Sequence, residues 1–208
     1  MAQANLGKHR KGGYFRMLRK LVERQALLFL VLLTLWGLII RADLSNVEIG
    51  DKIDSYQGVA IFENGSAIDQ SQGRHFSKDG YYYGQKWQCV EFVKRFYYDV
   101  LNHRMPDTFG HAKDFFDFSV PQGGLNACRG LVQYRNGGDI KPQKNDLLVY
   151  TNTEYGHVAI VAEVESDWIE IVQQNAHSQA RQKLVMTVSN GRYYVGNRWQ
   201  PAGWLRKE

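Results

Sequence analysis

The apolar positions of this chain follow three different patterns. The first is a run from Ala26 to Ile40, ALLFLVLLTLWGLII, fifteen residues without a charge, bounded by Arg24 and Arg41. As a helix it reaches about 22 Å, short of the roughly 30 Å hydrocarbon core of a bilayer, so a span requires Gln25 and snorkelling by the flanking arginines. Leucine lies on every face of the run, which argues against an interfacial helix. Leu38-Ile39-Ile40-Arg41 offers no small-x-small cleavage site, so the reading is an uncleaved signal anchor over 26–41, with a cleaved signal as the alternative. The second pattern has helical spacing: Val90, Val93, Tyr97, Val100 and Leu101 predict a helix from Gln88 to Asn102, with Lys94 and Arg95 off the stripe.

The third pattern is β-branched. Leu147 to Tyr150, His157 to Val164, Trp168 to Asn175 and Leu184 to Ser189 are short runs separated by turns, with no helix between them. They predict an antiparallel meander. Earlier, Gly58 to Phe62 followed by Glu63-Asn64-Gly65-Ser66 reads as a hairpin signal, with Asn64-Gly65 supplying a type I′ turn. Residues 71–84 read as loop, and residues 103–145 give no assignable element. The fold class expected is α+β, helix early and sheet late, behind one N-terminal transmembrane helix.

Charge refines the division. Residues 1–41 hold eight Lys/Arg and one acid, 8 − 1 = +7, whereas the remainder holds 18 against 20, 18 − 20 = −2. The basic character belongs to the tail. A slightly acidic body gives no support for a nucleic-acid partner. Lys8, Arg10, Lys11, Arg16, Arg19, Lys20 and Arg24 precede the span and only Arg41 lies close behind it. The positive-inside rule then keeps the N-terminus cytoplasmic and exports the rest. The expected order is a basic cytoplasmic tail (1–25), an anchor (26–41), a linker (42–57) and a soluble domain (58–208).

Two cysteines, Cys89 and Cys128, exclude a disulfide framework and a four-cysteine zinc site. Cys89 sits where a Gly-containing loop becomes a helix, and the unpaired amides of a helix start favour thiolate over thiol. Cys128 has no such setting. A thiolate nucleophile needs a base, and the base needs an orienting acceptor. His157 opens a strand directly after Gly156. If Glu165 to Asp167 form the hairpin turn, Val164 faces Trp168 and paired residue numbers sum to 332, which puts His157 opposite Asn175. Gln173 and Asn175 then share the face of His157. His9, His75, His103, His111 and His177 lack a comparable setting and no HExxH spacing occurs, so neither a metal nor a cofactor is expected.

Tyr83-Gly84-Gln85-Lys86-Trp87-Gln88-Cys89-Val90-Glu91-Phe92, Gly156-His157-Val158-Ala159-Ile160-Val161 and Gln174-Asn175 together resemble the CHAP family of cysteine, histidine-dependent amidohydrolases/peptidases, and within it the glutathionylspermidine amidases. The resemblance runs from about Gly58 to Trp204. It implies a papain-like fold in which a nucleophile-bearing helix packs on an antiparallel sheet, with Cys89 as nucleophile and His157 as base. The family commonly has glutamate as third member two residues before the asparagine; here that position is Gln173, an acceptor without charge. Gln88 or Gln85 would join the Cys89 amide at the oxyanion, and Asn175 is the other candidate orienting residue. The related amidases tend to carry paired arginines where this chain has Lys94-Arg95.

Two substrates fit, a cell-wall (peptidoglycan) peptide or a glutathionyl-polyamine amide such as glutathionylspermidine. The first suits an enzyme held in a bacterial inner membrane with its catalytic domain in the periplasm. The second suits the sequence likeness and predicts an acidic cleft, for which Asp79, Glu91 and Glu154 are candidates. The rival from another class is a catalytically weak CHAP-fold binding or envelope-assembly module, motivated by Gln173.

Overall fold

The computed structural model describes the backbone of residues 6–44, 47–107 and 109–208, and within the first of these segments the side chains of residues 16–36. The chain divides into a unit up to Val47 and a unit from Glu48 to Glu208. The first contains helix α1, Leu6–Leu44. Among the described residues no helix is long and apolar enough to cross a membrane. The described side chains of the uncharged run end at Trp36. The whole uncharged run, Ala26 to Ile40, reaches only about 22 Å at 1.5 Å per residue, against a hydrocarbon core of roughly 30 Å. Residues 37–41 of the expected span lie outside the residues whose side chains are described. This finding overturns the transmembrane signal anchor, and with it the single-pass inner-membrane placement with a cytoplasmic N-terminus and a periplasmic domain.

In the second unit, β1 (Lys52–Tyr56) and β2 (Val59–Phe62) form an antiparallel hairpin. Its turn is Gln57-Gly58, where φ is 46° and 87°, the two positive values a type I′ turn demands. The expected turn at Asn64-Gly65 is therefore corrected, since only Gly65 of that pair has positive φ. β1 also occupies part of the expected linker. β3 (Arg74–Phe76) and β4 (Tyr82–Gln85) pair in the segment expected to be loop. Helix α2, Cys89–Leu101, matches the predicted helix to within one residue at each end. It stops because Asn102 takes the left-handed conformation, which a short polar side chain tolerates.

A 3₁₀ turn (Ala112–Phe115) follows, then β5 (Gly124–Asn126), β6 (Leu131–Arg135), β7 (Leu147–Tyr150), β8 (His157–Val164), β9 (Trp168–Val172), β10 (Arg181–Ser189), β11 (Arg192–Val195) and β12 (Gly203–Arg206). β5 to β12 make one eight-stranded sheet of order β11-β10-β9-β8-β7-β12-β6-β5, antiparallel throughout. The expected α+β class is thus corrected: among the described residues strands dominate, against two α-helices. Strands of three residues such as β3 and β5 are too brief to show a period of two, and for that reason the sequence pattern missed them.

Alternation explains how the sheet positions α2. Leu147, Val149, Val158, Ile160 and Leu205 point to one face and pack with Phe92, Val93 and Phe96 of α2. Leu148, Tyr150, Ala159, Val161, Ile169, Ile171 and Trp204 point to the other and pack among themselves. β8 is buried on both faces, which accounts for its unbroken apolar run. Gly138 bridges Tyr193, joining the chain just past β6 to β11 at the opposite end, so the sheet curls.

Candidate active site

Cys89 is the first residue of α2, after Gln88 at the N-cap, and is 7 % exposed. The helix start is fixed from within. Glu91, fully buried, receives Arg95 Nε at 2.6 Å and Gln174 Nε2 at 2.7 Å, and pairs with His75 Nδ1 at 2.7 Å. Burial pushes the Glu91 carboxyl up, but the bonds from His75 and Arg95 outweigh it and hold the group ionised below its ordinary range. Gln174 Nε2 also donates to the Gln88 carbonyl at 3.1 Å, tying the chain after β9 to the residue before Cys89.

His157 begins β8. A Cβ on Gly156, where φ is +72°, would lie 2.5 Å from both Lys113 N and Tyr150 O, so only glycine admits this close approach of the 3₁₀ turn. The expected register is met in part. Ile160 pairs with Val172 and Val161 with Ile171, both summing to 332, but an irregularity between Val161 and Glu163 shifts Val164 onto Ile169 instead of Trp168. The irregularity absorbs one residue, leaving the His157 end of the ladder in the expected frame.

The structure separates the two candidate orienting residues. Gln173 Oε1 lies 2.9 Å from His157 Nε2. Gln173 Nε2 donates to Gln179 O at 3.1 Å, which sets the amide's flip and leaves its oxygen to accept the ring N–H. Asn175 has φ 62° and leaves the strand direction; its amide donates to Ile68 O at 2.7 Å and to Gln88 Oε1 at 2.6 Å. With Nε2 occupied, Nδ1 is the ring nitrogen left for the Cys89 thiol, and the two groups shift one another's titration. Burial pushes the Cys89 thiol up. The charge and hydrogen bond of His157, aided by backbone N–H groups of Val158 and Val90, more than offset this and lower it. Burial likewise pushes the imidazole down, and the charge and hydrogen bond of Cys89, with the bond to Gln173, raise it above its usual value. Each group thus moves the other toward its charged form.

Of the oxyanion candidates, Gln88 spends its amide hydrogens on Ile68 O at 3.1 Å and Gln70 O at 2.5 Å. Gln85 accepts from Ser71 Oγ at 2.6 Å, which leaves its amide nitrogen as the donor end. Both line, with Cys89, His157, Gln173 and Asn175, a cleft of about 910 Å³. Of the acids named from sequence, only Glu154 is there. Asp79 bonds Ser77, Tyr98 and Arg104, and Glu91 is buried in its own network. Lys94 and Arg95 are also turned to structural use, Lys94 Nζ donating to Tyr82 O at 2.6 Å and Arg95 to Glu91. Sequence reasoning missed Asp69, Phe109, Tyr150 and Trp199 in the cleft wall, since no local pattern marks them. Among the described residues no cluster of His, Cys, Asp and Glu could hold a metal ion.

Comparison with known proteins agrees with the resemblance drawn from the Cys89 and His157 blocks. Residues 80–175 match the family described as CHAP domain. The matched stretch runs from just before β4 through α2 and β8 to Asn175, so it contains Cys89, His157 and Gln173. The chain is similar to the bifunctional glutathionylspermidine synthetase/amidase of Escherichia coli (strain K12) and that of Shigella flexneri, 31% identical over 143 residues in each, 61% of this chain and 23% of theirs. It is also similar to trypanothione synthetase of Crithidia fasciculata, 28% identical over 106 residues, 50% of this chain and 16% of that protein. The chain thus spans less than a quarter of the length of the curated relatives it matches.

Proposed function

We propose that this CHAP domain is a cysteine amidohydrolase/peptidase that cleaves an amide bond through a thioester on Cys89. The observation that carries the reading is that Cys89, at a helix start, and His157, its Nε2 fixed by Gln173, line one open cleft and draw each other toward the charged form. The thiolate attacks the amide carbonyl and the oxyanion settles against the Cys89 N–H and the Gln85 amide. The imidazolium gives its proton to the leaving amine. Neutral His157 then takes a proton from water, which hydrolyses the thioester, and returns it to sulfur. No step calls for a metal or cofactor.

The substrate proposed is a glutathionylspermidine-like amide with a cationic leaving group. The cleft lining supports this choice over a peptidoglycan peptide: its carboxylates are Asp69 and Glu154, and it has no Lys or Arg among the described residues. Both acids act on Tyr155 between them, raising its phenol, Glu154 more strongly than Asp69. Exposed aromatic rings, Phe109, Tyr155 and Trp199, surround them, and such faces attract ammonium groups. The periplasmic argument for a cell-wall substrate fell with the membrane placement. A binding module is the second reading, favoured by the uncharged Gln173.

The test is product analysis on glutathionylspermidine and muropeptides side by side. Release of the polyamine is expected, with KM raised a few-fold by Asp69→Asn or Glu154→Gln, an effect that shrinks with added salt as exposed charge pairs do. Cleavage of muropeptides alone would reject the cationic substrate, and binding of either without turnover would favour the binding module.

A further inference from the structure

Three carboxamides that do not touch His157, those of Gln88, Asn175 and Asn64, converge on one short piece of the cleft wall. Ile68 O receives Gln88 Nε2 at 3.1 Å and Asn175 Nδ2 at 2.7 Å. Gln70 O receives Gln88 Nε2 at 2.5 Å and Asn64 Nδ2 at 3.2 Å. The three side chains also bind one another, Asn64 Nδ2 to Asn175 Oδ1 at 3.0 Å and Asn175 Nδ2 to Gln88 Oε1 at 2.6 Å. Asn64 is 2 % exposed, so its amide is committed to this set. The two carbonyls belong to the residues on either side of Asp69, whose carboxylate lines the cleft.

This arrangement joins three parts that no regular hydrogen-bond ladder connects: the N-cap of the nucleophile helix, the chain after β9 and the loop between β2 and β3. A loop held only by its ends samples many conformations, and ordering each residue costs conformational free energy. Two doubly bonded carbonyls remove that freedom at Asp69. We infer that Gln88, Asn175 and Asn64 form a carboxamide clamp that positions the Ile68–Gln70 wall relative to Cys89, so that Gln88 and Asn175 govern substrate affinity and leave the orientation of His157 to Gln173. They are positioning residues, and the inference rests on the proposed hydrolase reading.

Two variants open the clamp without straining the chain. Asn175→Gly suits φ 62° and removes the amide without adding charge beside the histidine. Gln88→Ala leaves α2 capped as before, because the Gln88 side chain makes no cap bond. In each, KM for glutathionylspermidine should rise about tenfold, in line with breaking a partly buried polar network. The pH profile of Cys89 alkylation by iodoacetamide should keep its midpoint, and kcat should change little. Backbone hydrogen exchange at Gln70 and Ser71 should quicken about tenfold on the same grounds, with α2 unchanged. A shifted alkylation midpoint in Asn175→Gly would make Asn175 an orienting residue for His157 and overturn the clamp. So would unchanged exchange in the 68–71 loop. If the wild-type chain hydrolyses neither substrate, the hydrolase reading fails, while the exchange measurement still decides the clamp.

Discussion

Cys89→Ala is expected to reduce hydrolysis of a confirmed amide substrate by at least about a thousandfold, since removing the nucleophile of such a group removes nearly all its catalysis. The fold should survive. Cys89 is small, and alanine keeps its place at the start of α2, where Glu91 and Gln174 supply the anchoring bonds. The unfolding midpoint in urea should shift by no more than about 1 kcal/mol in equivalent stability, the usual scale of a conservative change. Cys128→Ala is the control, because Cys128 is exposed and outside the cleft lining. It should retain most activity. Equal rates for wild type and Cys89→Ala would remove the thioester route altogether.

The second large effect is expected at Gln173. Its amide oxygen fixes which ring nitrogen of His157 carries the proton, and Gln179 O fixes the amide. Gln173→Ala frees the ring to turn away from the thiol, and the loss should be of order 10²-fold in kcat, the scale of a displaced general base. Gln173→Glu keeps an acceptor at Nε2 and adds negative charge beside the imidazole. The His157 pKa then rises further and the Cys89 pKa falls further, because a carboxylate favours the imidazolium and the imidazolium favours the thiolate. Alkylation of Cys89 should therefore persist to lower pH, and the alkaline limb of hydrolysis, where the imidazolium deprotonates, should move to higher pH. One interaction opposes the gain, since Glu at 173 faces the Gln179 carbonyl without a proton to donate. Unchanged rates and profiles in both variants would remove Gln173 from the mechanism.

The family resemblance was more legible than the architecture. The Trp87-Gln88-Cys89-Val90-Glu91-Phe92 and Gly156-His157 blocks are contiguous, and their meaning survives without knowledge of the fold. Strand alternation placed Gln173 on the His157 side. What alternation could not foresee was the departure of Asn175 into a positive φ, which sends its amide to a loop 107 residues away. Asp69 was invisible for the same reason, because it enters the cleft through bonds made by residues remote in sequence. β3, β5 and β6 hid in Gly-rich stretches too short for a period to register. At the N-terminus, the hydropathy of 26–40 suggested a span whose length, about 22 Å for a roughly 30 Å core, was already insufficient.

The central claim is that Cys89 and His157 form a thiolate–imidazolium pair. It is tested most directly by the pH dependence of iodoacetamide labelling at Cys89, followed by peptide mass analysis with Cys128 as internal standard. In the wild type, Cys89 should react faster than Cys128 and remain reactive to lower pH, and His157→Ala should move its midpoint upward toward the ordinary thiol value, about 8.5. A Cys89 midpoint that coincides with that of Cys128 and does not move in His157→Ala would contradict the account.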